Sequence, residues 1–160
     1  QNNMAEDLLL TKTTKEELYQ ELIPQLTALI AGENDLVANL ANVAAGLKEA
    51  FGFLWVGFYL VKEDNLVLGP FQGPVACTRI PKGKGVCGTS WEKQKTLIVP
   101  DVEQFEGHIA CSSLSKSEIV IPIVKNNEVV AILDVDSKEL NTFDQIDEEN
   151  LTQLLNEINF

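Results

Sequence analysis

The sequence predicts an α+β fold: a mostly antiparallel central sheet of about six strands with flanking helices. Three observations predict it. The chain opens with apolar residues at helical spacing, its middle turns aromatic and β-branched in short runs punctuated by Gly, Pro and Asn, and its last stretch returns to helical spacing.

The first helix is expected from about Thr14 to Ile30. Thr14 followed by Glu17 has the form of a capping box, and Leu18, Leu22, Leu26, Leu29 and Ile30 make one apolar face, with Pro24 a point of bending. A second helix from about Asp35 to Phe51 carries Leu36, Leu40, Val43, Leu47 and Phe51 on one side and ends at Gly52. Phe53 to Val61 reads as a strand, Glu63 to Asn65 as a polar turn and Leu66 to Leu68 as the returning strand of a hairpin. From Gly69 to Gly88 the chain is rich in Gly and Pro, with one short strand at Thr78 to Ile80. A short helix from Val86 to Lys93 and a short strand from Thr96 to Val99, stopped by Pro100, follow. The strands Glu118 to Val124 and Val129 to Asp136 meet at Asn126 and Asn127, and Asp144 to Ile158 closes the chain as a third amphipathic helix.

A length of 160 residues with 45% hydrophobic content suits one core, so residues 1–160 are expected to form a single domain. Met4 is the only methionine, and Gln1 to Asn3 ahead of it read as an expression remnant. The chain has no run near the roughly 18 apolar residues of a membrane span and opens with no secretory leader, so a cytoplasmic protein with reduced thiols is expected. A formal charge of −12 repels nucleic acid and anionic membrane surfaces, and excludes both as partners.

Cys77, Cys87 and Cys111 each sit in a Gly-, Pro- or Ser-punctuated segment instead of an apolar run. No pair has the C-x-x-C spacing of a zinc clamp or a thioredoxin motif, and a three-cysteine zinc site would need His108 or a carboxylate as its fourth ligand. The spacing therefore predicts no metal site, and thiol chemistry itself needs no organic cofactor, so none is expected. On local electrostatics the best nucleophile is Cys87, which follows GKG near a helix start with Lys82 and Lys84 close by, features that lower a thiol pKa. Cys111 has only His108 as a neighbouring cation. Asp134 and Asp136, two apart on a strand, share a face, and so do Trp55 and Tyr59, four apart on another.

The order of elements resembles a GAF domain. The segments GPFQGPVACTRIPKGKGVCGTS, GHIACSS, SEIVIP and AILDVDS closely resemble the free methionine-(R)-sulfoxide reductases, which are GAF-domain enzymes. The resemblance runs from about Phe53 to Phe143 and includes all three cysteines at the family's spacing; one departure is Ser112, where the family usually has an aspartate after the third cysteine.

The resemblance implies reduction of free methionine (R)-sulfoxide, with Cys111 as nucleophile, Cys77 as its resolving partner and Cys87 as an auxiliary thiol. It implies that Glu118, Asp134 and Asp136 form one substrate site, with Trp55 and Tyr59 around the methyl-sulfur end. A sulfenic acid on the nucleophile would condense with a second thiol to a disulfide, and an external dithiol protein, thioredoxin, would restore the reduced form. For Glu118 to share a face with the two aspartates, the register of the last hairpin matters. A two-residue loop at Asn126 and Asn127 sets it opposite Val135, on the wrong face, whereas a three-residue bulged loop sets it opposite Asp134; the bulged loop is the expectation. The alternative to an enzyme is a GAF sensor module that binds a small ligand and carries redox-sensitive cysteines. Sensors are ordinarily wired to an output domain, which this chain is not expected to have. The amphipathic N-terminal helices are compatible with a homodimer.

Overall fold

A computed structural model of the chain describes residues 7–109 and 111–160. Gln1 to Asn3, read above as an expression remnant, lie outside the described residues. Helices α1 (Lys15–Ala31) and α2 (Leu36–Phe51) lead into β1 (Trp55–Lys62), β2 (Asn65–Gln72) and β3 (Arg79–Pro81). Then come α3 (Gly85–Lys93), β4 (Leu97–Val99), a 3₁₀ turn at Val102–Gln104, β5 (Ser117–Lys125), β6 (Glu128–Ser137) and α4 (Gln145–Asn156). The strands form one six-stranded sheet in the order β3-β2-β1-β6-β5-β4, with every neighbouring pair antiparallel. Among the described residues no helix is long and apolar enough to cross a membrane.

Helix α2 begins and ends where the sequence indicates. The Asp35 carboxylate accepts from the Ala38 N–H at 2.9 Å, and Gly52 takes the left-handed conformation (φ 66°) while its N–H closes onto Lys48 O. Helix α1 differs at its start: the capping box expected at Thr14 and Glu17 is not formed, and Thr14 makes no side-chain cap hydrogen bond. The carboxylate that reaches back is Glu21, one turn further on, which accepts from the Thr11 and Lys12 N–H groups and so folds the incoming chain over the helix. Lys15 instead ties α1 to α4, its Nζ 2.6 Å from Asp147 Oδ2 and 2.8 Å from Thr142 O. A complete capping box forms on α4, between Asp144 and Asp147.

Strand β2 runs to Gln72, past the Gly69–Pro70 pair taken as its end. The ladder slips by one residue opposite Phe58, between the pairs Gly57–Phe71 and Tyr59–Leu68, and this bulge accommodates the proline, which has no N–H to give a regular ladder.

The last hairpin departs from the expected register in detail. Its loop has two residues, Asn126 (φ 52°) and Asn127 (φ 66°), both left-handed as a type I′ turn requires, and Lys125 pairs with Glu128. The bulge lies inside β6 instead, where Val130 is the extra residue between the pairs Val124–Val129 and Ile123–Ala131. That one insertion flips the parity, so Glu118 sits opposite Asp136, neither Val135 nor Asp134. The shared face is as expected and the partner is not.

With this register the sheet separates two cores. Val56, Phe58, Ile119, Ile121, Ile123, Ala131, Leu133 and Val135 face α1, α2 and α4, while the opposite face meets α3 through Trp55, Tyr59, Val120, Ile132, Val86, Cys87 and Trp91.

Candidate functional site

The site is on the α3 side, where adjacent strands line up their chemistry. In one row across β1, β6 and β5 stand Trp55, Asp136 and Glu118; in the next stand Gly57, Asp134 and Val120. Gly57 is required by packing, because a Cβ there would lie 2.7 Å from the far edge of the Trp55 ring and 2.3 Å from Phe71 Cβ. Its absence lets Trp55 lie along the strand, stacked on Phe71 with ring centroids 5.2 Å apart and 5.9 Å from the Tyr59 ring. The indole N–H donates to Pro74 O and the Tyr59 hydroxyl to Cys77 O at 2.8 Å, so both aromatic side chains also hold the loop after β2.

That loop and the one before β5 close over the strands and are joined by a disulfide between Cys77 and Cys111, whose Cα atoms are 5.5 Å apart. Beneath it is a pocket lined by Trp55, Tyr59, Cys87, Cys111, Glu118, Asp134 and Asp136, so the structure brings these sequence-derived candidates together; Cys77 joins them through its bond to Cys111.

Glu118 and Asp134 are buried, and Asp134 Oδ1 has no hydrogen-bond partner. Burial, and then the charges of Asp134 and Asp136, push the Glu118 carboxyl well above its ordinary value. Asp136 is raised by burial and by Asp134, and the Ser115 hydroxyl, which donates to Asp136 Oδ1 at 2.9 Å, opposes that rise. Asp134 is raised by burial as well, while Glu118 and Cys87 beside it pull the other way and favour its charged form. Glu118 and Asp136 therefore both favour their protonated forms, and Asp134 is the carboxyl that its neighbours help to ionise. A pocket with this floor favours a ligand carrying a cation, and a protonated carboxyl there can give its proton up.

Cys87 is where the electrostatic reading of the sequence is corrected. It lies in the first turn of α3 as expected, but its thiol is buried on the pocket side with Sγ 4.0 Å from Glu118 Oε2. Burial, then Asp134 and Glu118, push its pKa well up. The lysines credited with activating it lie elsewhere: Lys82 Nζ stands 5.2 Å over the Trp91 ring and Lys84 is exposed at the pocket mouth.

Sequence reasoning missed three contributors. Ser115 as the partner of Asp136 carried no signal beyond its type. His108, singled out in the sequence as the cation near Cys111, lines the pocket, where burial lowers its pKa against the pull of Asp134. The apolar lining from Leu54, Ile80 and Val86 depends on loop packing that no local pattern reveals.

The GAF domain model matches residues 31–160 of this chain. A Dictyostelium discoideum protein described as GAF domain-containing protein A is 65% identical over 153 residues, which cover 95% of this chain and 97% of that one. The free methionine-R-sulfoxide reductase of Escherichia coli (strain K12) is 47% identical over 142 residues, covering 88% of this chain and 86% of that protein. A solved structure of the free methionine-R-sulfoxide reductase of Neisseria meningitidis, in complex with its substrate, superposes with a TM-score of 0.94 at 51% identity, over 96% of this chain and 93% of that one. This chain belongs to the GAF-domain free methionine-R-sulfoxide reductase family. The family membership bears out the resemblance read from the cysteine segments and the GAF architecture read from the order of elements.

Proposed function

We propose that this chain, acting as a single GAF-like domain in the cytoplasm, reduces free methionine (R)-sulfoxide to methionine. The observation that carries the reading is the Cys77–Cys111 disulfide above a pocket floored by Glu118, Asp134 and Asp136, with Asp134 Oδ1 left unpartnered. In the reduced protein the Cys111 thiolate attacks the sulfoxide sulfur, and Glu118, whose carboxyl is held protonated by burial and by Asp134 and Asp136, supplies a proton to the oxygen. The oxygen, now a hydroxyl, passes from the methionine sulfur to Cys111 Sγ as the substrate's sulfur–oxygen bond breaks, so that methionine leaves and Cys111 becomes a sulfenic acid. The Cys77 thiol then attacks the Cys111 sulfur, water departs and the disulfide forms; a thioredoxin-type dithiol returns two electrons and two protons through a mixed disulfide. One sulfoxide and one dithiol thus become methionine, water and the oxidised dithiol.

The carboxyl floor supports a preference for the free amino acid. Its ammonium group pairs with Asp134 and Asp136, whereas a peptide-bound methionine sulfoxide has no such cation and leaves buried carboxylates unmatched. Trp55 and Tyr59 offer aromatic walls for the methylsulfinyl end. Cys87, with its raised pKa, suits a reserve thiol better than a first attacker. Cys87, Glu118 and Asp134 place donor atoms within 4.8 Å of one another, the reach of a divalent ion's ligands, but a metal would need the Cys87 thiol and the Glu118 carboxyl to give up protons they are placed to keep, whereas an ammonium needs only an ionised Asp134. The apolar faces of α1 and α2 pack on the sheet, so a homodimer would use other surfaces of these helices.

The test is NADPH loss with thioredoxin and thioredoxin reductase, supplied in turn with the free (R) epimer, the free (S) epimer and an N-acetylated (R) epimer. Consumption with the free (R) epimer alone is expected. Cys111→Ser should abolish it, and Cys77→Ser should release about one equivalent of methionine per protein before stalling. Silence with every epimer, using protein shown to be reduced, would favour the ligand-binding sensor module.

A further inference from the structure

Of the seven large apolar side chains exposed among the described residues, three gather at one place and Leu9, Val37, Val124 and Leu140 lie apart. Val75, Ile109 and Leu114, exposed by 88%, 39% and 55%, lie on the two loops that the disulfide joins: Val75 two residues before Cys77, Ile109 two before Cys111 and Leu114 three after it. Val75 and Ile109 line the mouth of the same pocket as Cys111, and Ile109 packs on Gly85, next to the exposed Lys84. Neither loop needs these side chains for a core. Apolar groups gathered at one rim in this way mark a contact surface.

Charge around the rim departs from the rest of the molecule in the same place. The chain carries −12, yet from Asn65 to Trp91 it has Arg79, Lys82 and Lys84 and no carboxylate; Glu92, the next residue, lies against Gly83 between the two lysines and leaves Arg79 and Lys116 as the further positive charges of the rim. Arg79 and Lys84 are exposed, and Lys116 is exposed beside the second loop, whose only acidic residue between Phe105 and Lys116 is Glu106. A cationic, apolar rim on a strongly acidic protein steers toward an acidic partner with an apolar contact face.

We propose that Val75, Ile109 and Leu114, with Arg79, Lys84 and Lys116 around them, form the docking surface for the protein dithiol that reduces the Cys77–Cys111 disulfide. The inference rests on the redox cycle proposed above. Thiol–disulfide exchange needs the attacking sulfur in line with the bond it breaks, and both cysteines are only partly exposed. A partner must therefore be held against these loops while its thiolate attacks one sulfur. The other cysteine leaves as a thiolate, and the partner's second thiol then resolves the mixed disulfide, so that two electrons pass to this chain and the partner is oxidised.

The test compares two reductants on Leu114→Asp and Arg79→Glu, with Val37→Asp on α2, on the opposite side of the sheet, as control. Leu114→Asp should lower kcat/KM for thioredoxin about tenfold, the loss of roughly 1.4 kcal/mol of docking, and Arg79→Glu about threefold, with the second effect fading at high salt. Turnover driven by dithiothreitol, which needs no docking, should stay within about twofold of wild type in all three variants, as should methionine release in a single turnover by pre-reduced protein. Unchanged kcat/KM for thioredoxin in Leu114→Asp would overturn the docking surface, and so would a parallel fall with dithiothreitol, because the lesion would then lie in the site. If wild-type protein turns over with dithiothreitol but not with thioredoxin, the partner class in the proposed cycle is what fails.

Discussion

On β1, β5 and β6 alternate side chains part toward two sides. Those sent to α1, α2 and α4 are Val56, Phe58, Ile119, Ile121, Ile123, Leu133 and Val135; those sent toward α3 include Trp55, Tyr59, Glu118, Asp134 and Asp136. Both sets are largely removed from water, yet only the first is removed in the chemical form that burial favours. Each buried aliphatic there contributes about 1.5–3 kcal/mol. On the other side, two carboxyls are held at 5% and 7% exposure; among the described residues no lysine or arginine pairs with them, and one of their oxygens, Asp134 Oδ1, has no partner. The face toward α1, α2 and α4 stabilises the fold throughout, whereas on the α3 face the carboxyl cluster destabilises it in the absence of a cationic ligand, against the contribution of Val120 and Ile132 buried beside it. Two residues on adjacent positions of one strand, Leu133 and Asp134, should then respond to substitution in opposite ways.

The strongest break in that symmetry is expected at Glu118. Glu118→Gln keeps the shape and a hydrogen-bond donor but removes the transferable proton, and kcat should fall about 10²–10⁴-fold. Stability should move the other way. Because the folded-state pKa of Glu118 is raised, its contribution is full below the ordinary carboxylate range and is lost as pH rises through the folded value. Near neutrality Glu118→Gln should therefore melt above wild type, with a gap that closes as pH falls toward 4, roughly the ordinary glutamate value. A variant that is inactive and also less stable at neutral pH would show that Glu118 is held by favourable contacts, contrary to the contrast drawn between the faces. The same raised pKa places the wild-type activity on the acid side of the Glu118 titration, so kcat should decline toward alkaline pH along a limb that Glu118→Gln lacks.

Next in size is Leu133→Ala on the face toward α1, α2 and α4, where a fully buried side chain is replaced by a cavity. Unfolding free energy should drop by about 2–5 kcal/mol in denaturant titrations. Activity per folded molecule should stay within a few fold, since Asp134 is carried by the backbone ladder to β1 and β5 and not by its neighbour's side chain. A loss of kcat as deep as that of Glu118→Gln would mean that the two faces are not independent.

The two faces were not equally legible in the sequence. The apolar face was readable because period-2 alternation in SEIVIP and AILDVDS and helical spacing in α1, α2 and α4 are local patterns with one physical solution. Asp134 and Asp136 were placed on a common face by the same alternation. Glu118 was harder, because its side depends on pairing across a hairpin. Two asparagines that tolerate left-handed backbone do mark a type I′ loop, yet nothing in Val129, Val130 and Ala131 announces the bulge that restores the face. The environment of Cys87 was misread for a related reason. Its neighbours in sequence are lysines and a helix start, and its neighbours in space are carboxyls brought from β5 and β6. Spacing was equally silent on the disulfide, which spans 34 residues and is one of three pairings that three cysteines allow; only the family resemblance singled it out.

The smallest effect tests whether the pocket face also positions the loop above it. Tyr59 is buried with its ring beside Trp55, and its hydroxyl donates to the carbonyl of Cys77 itself. Tyr59→Phe keeps the ring and deletes that hydrogen bond. Stability should fall by only about 0.5–1.5 kcal/mol, because the Cys77 carbonyl lies on a partly exposed loop where water can replace the hydroxyl. The kinetic consequence should appear in one step alone. Methionine release in a single turnover and KM for the sulfoxide depend on Cys111 and the walls of the pocket, and both should be unchanged. Closure of the disulfide depends on Cys77 being held toward Cys111, and should slow severalfold, so that a dimedone-reactive sulfenic acid accumulates where wild type shows little. Should methionine release slow instead, the hydroxyl acts on the substrate and not on the loop, and Tyr59 would join Glu118 among the groups that touch the reacting atoms.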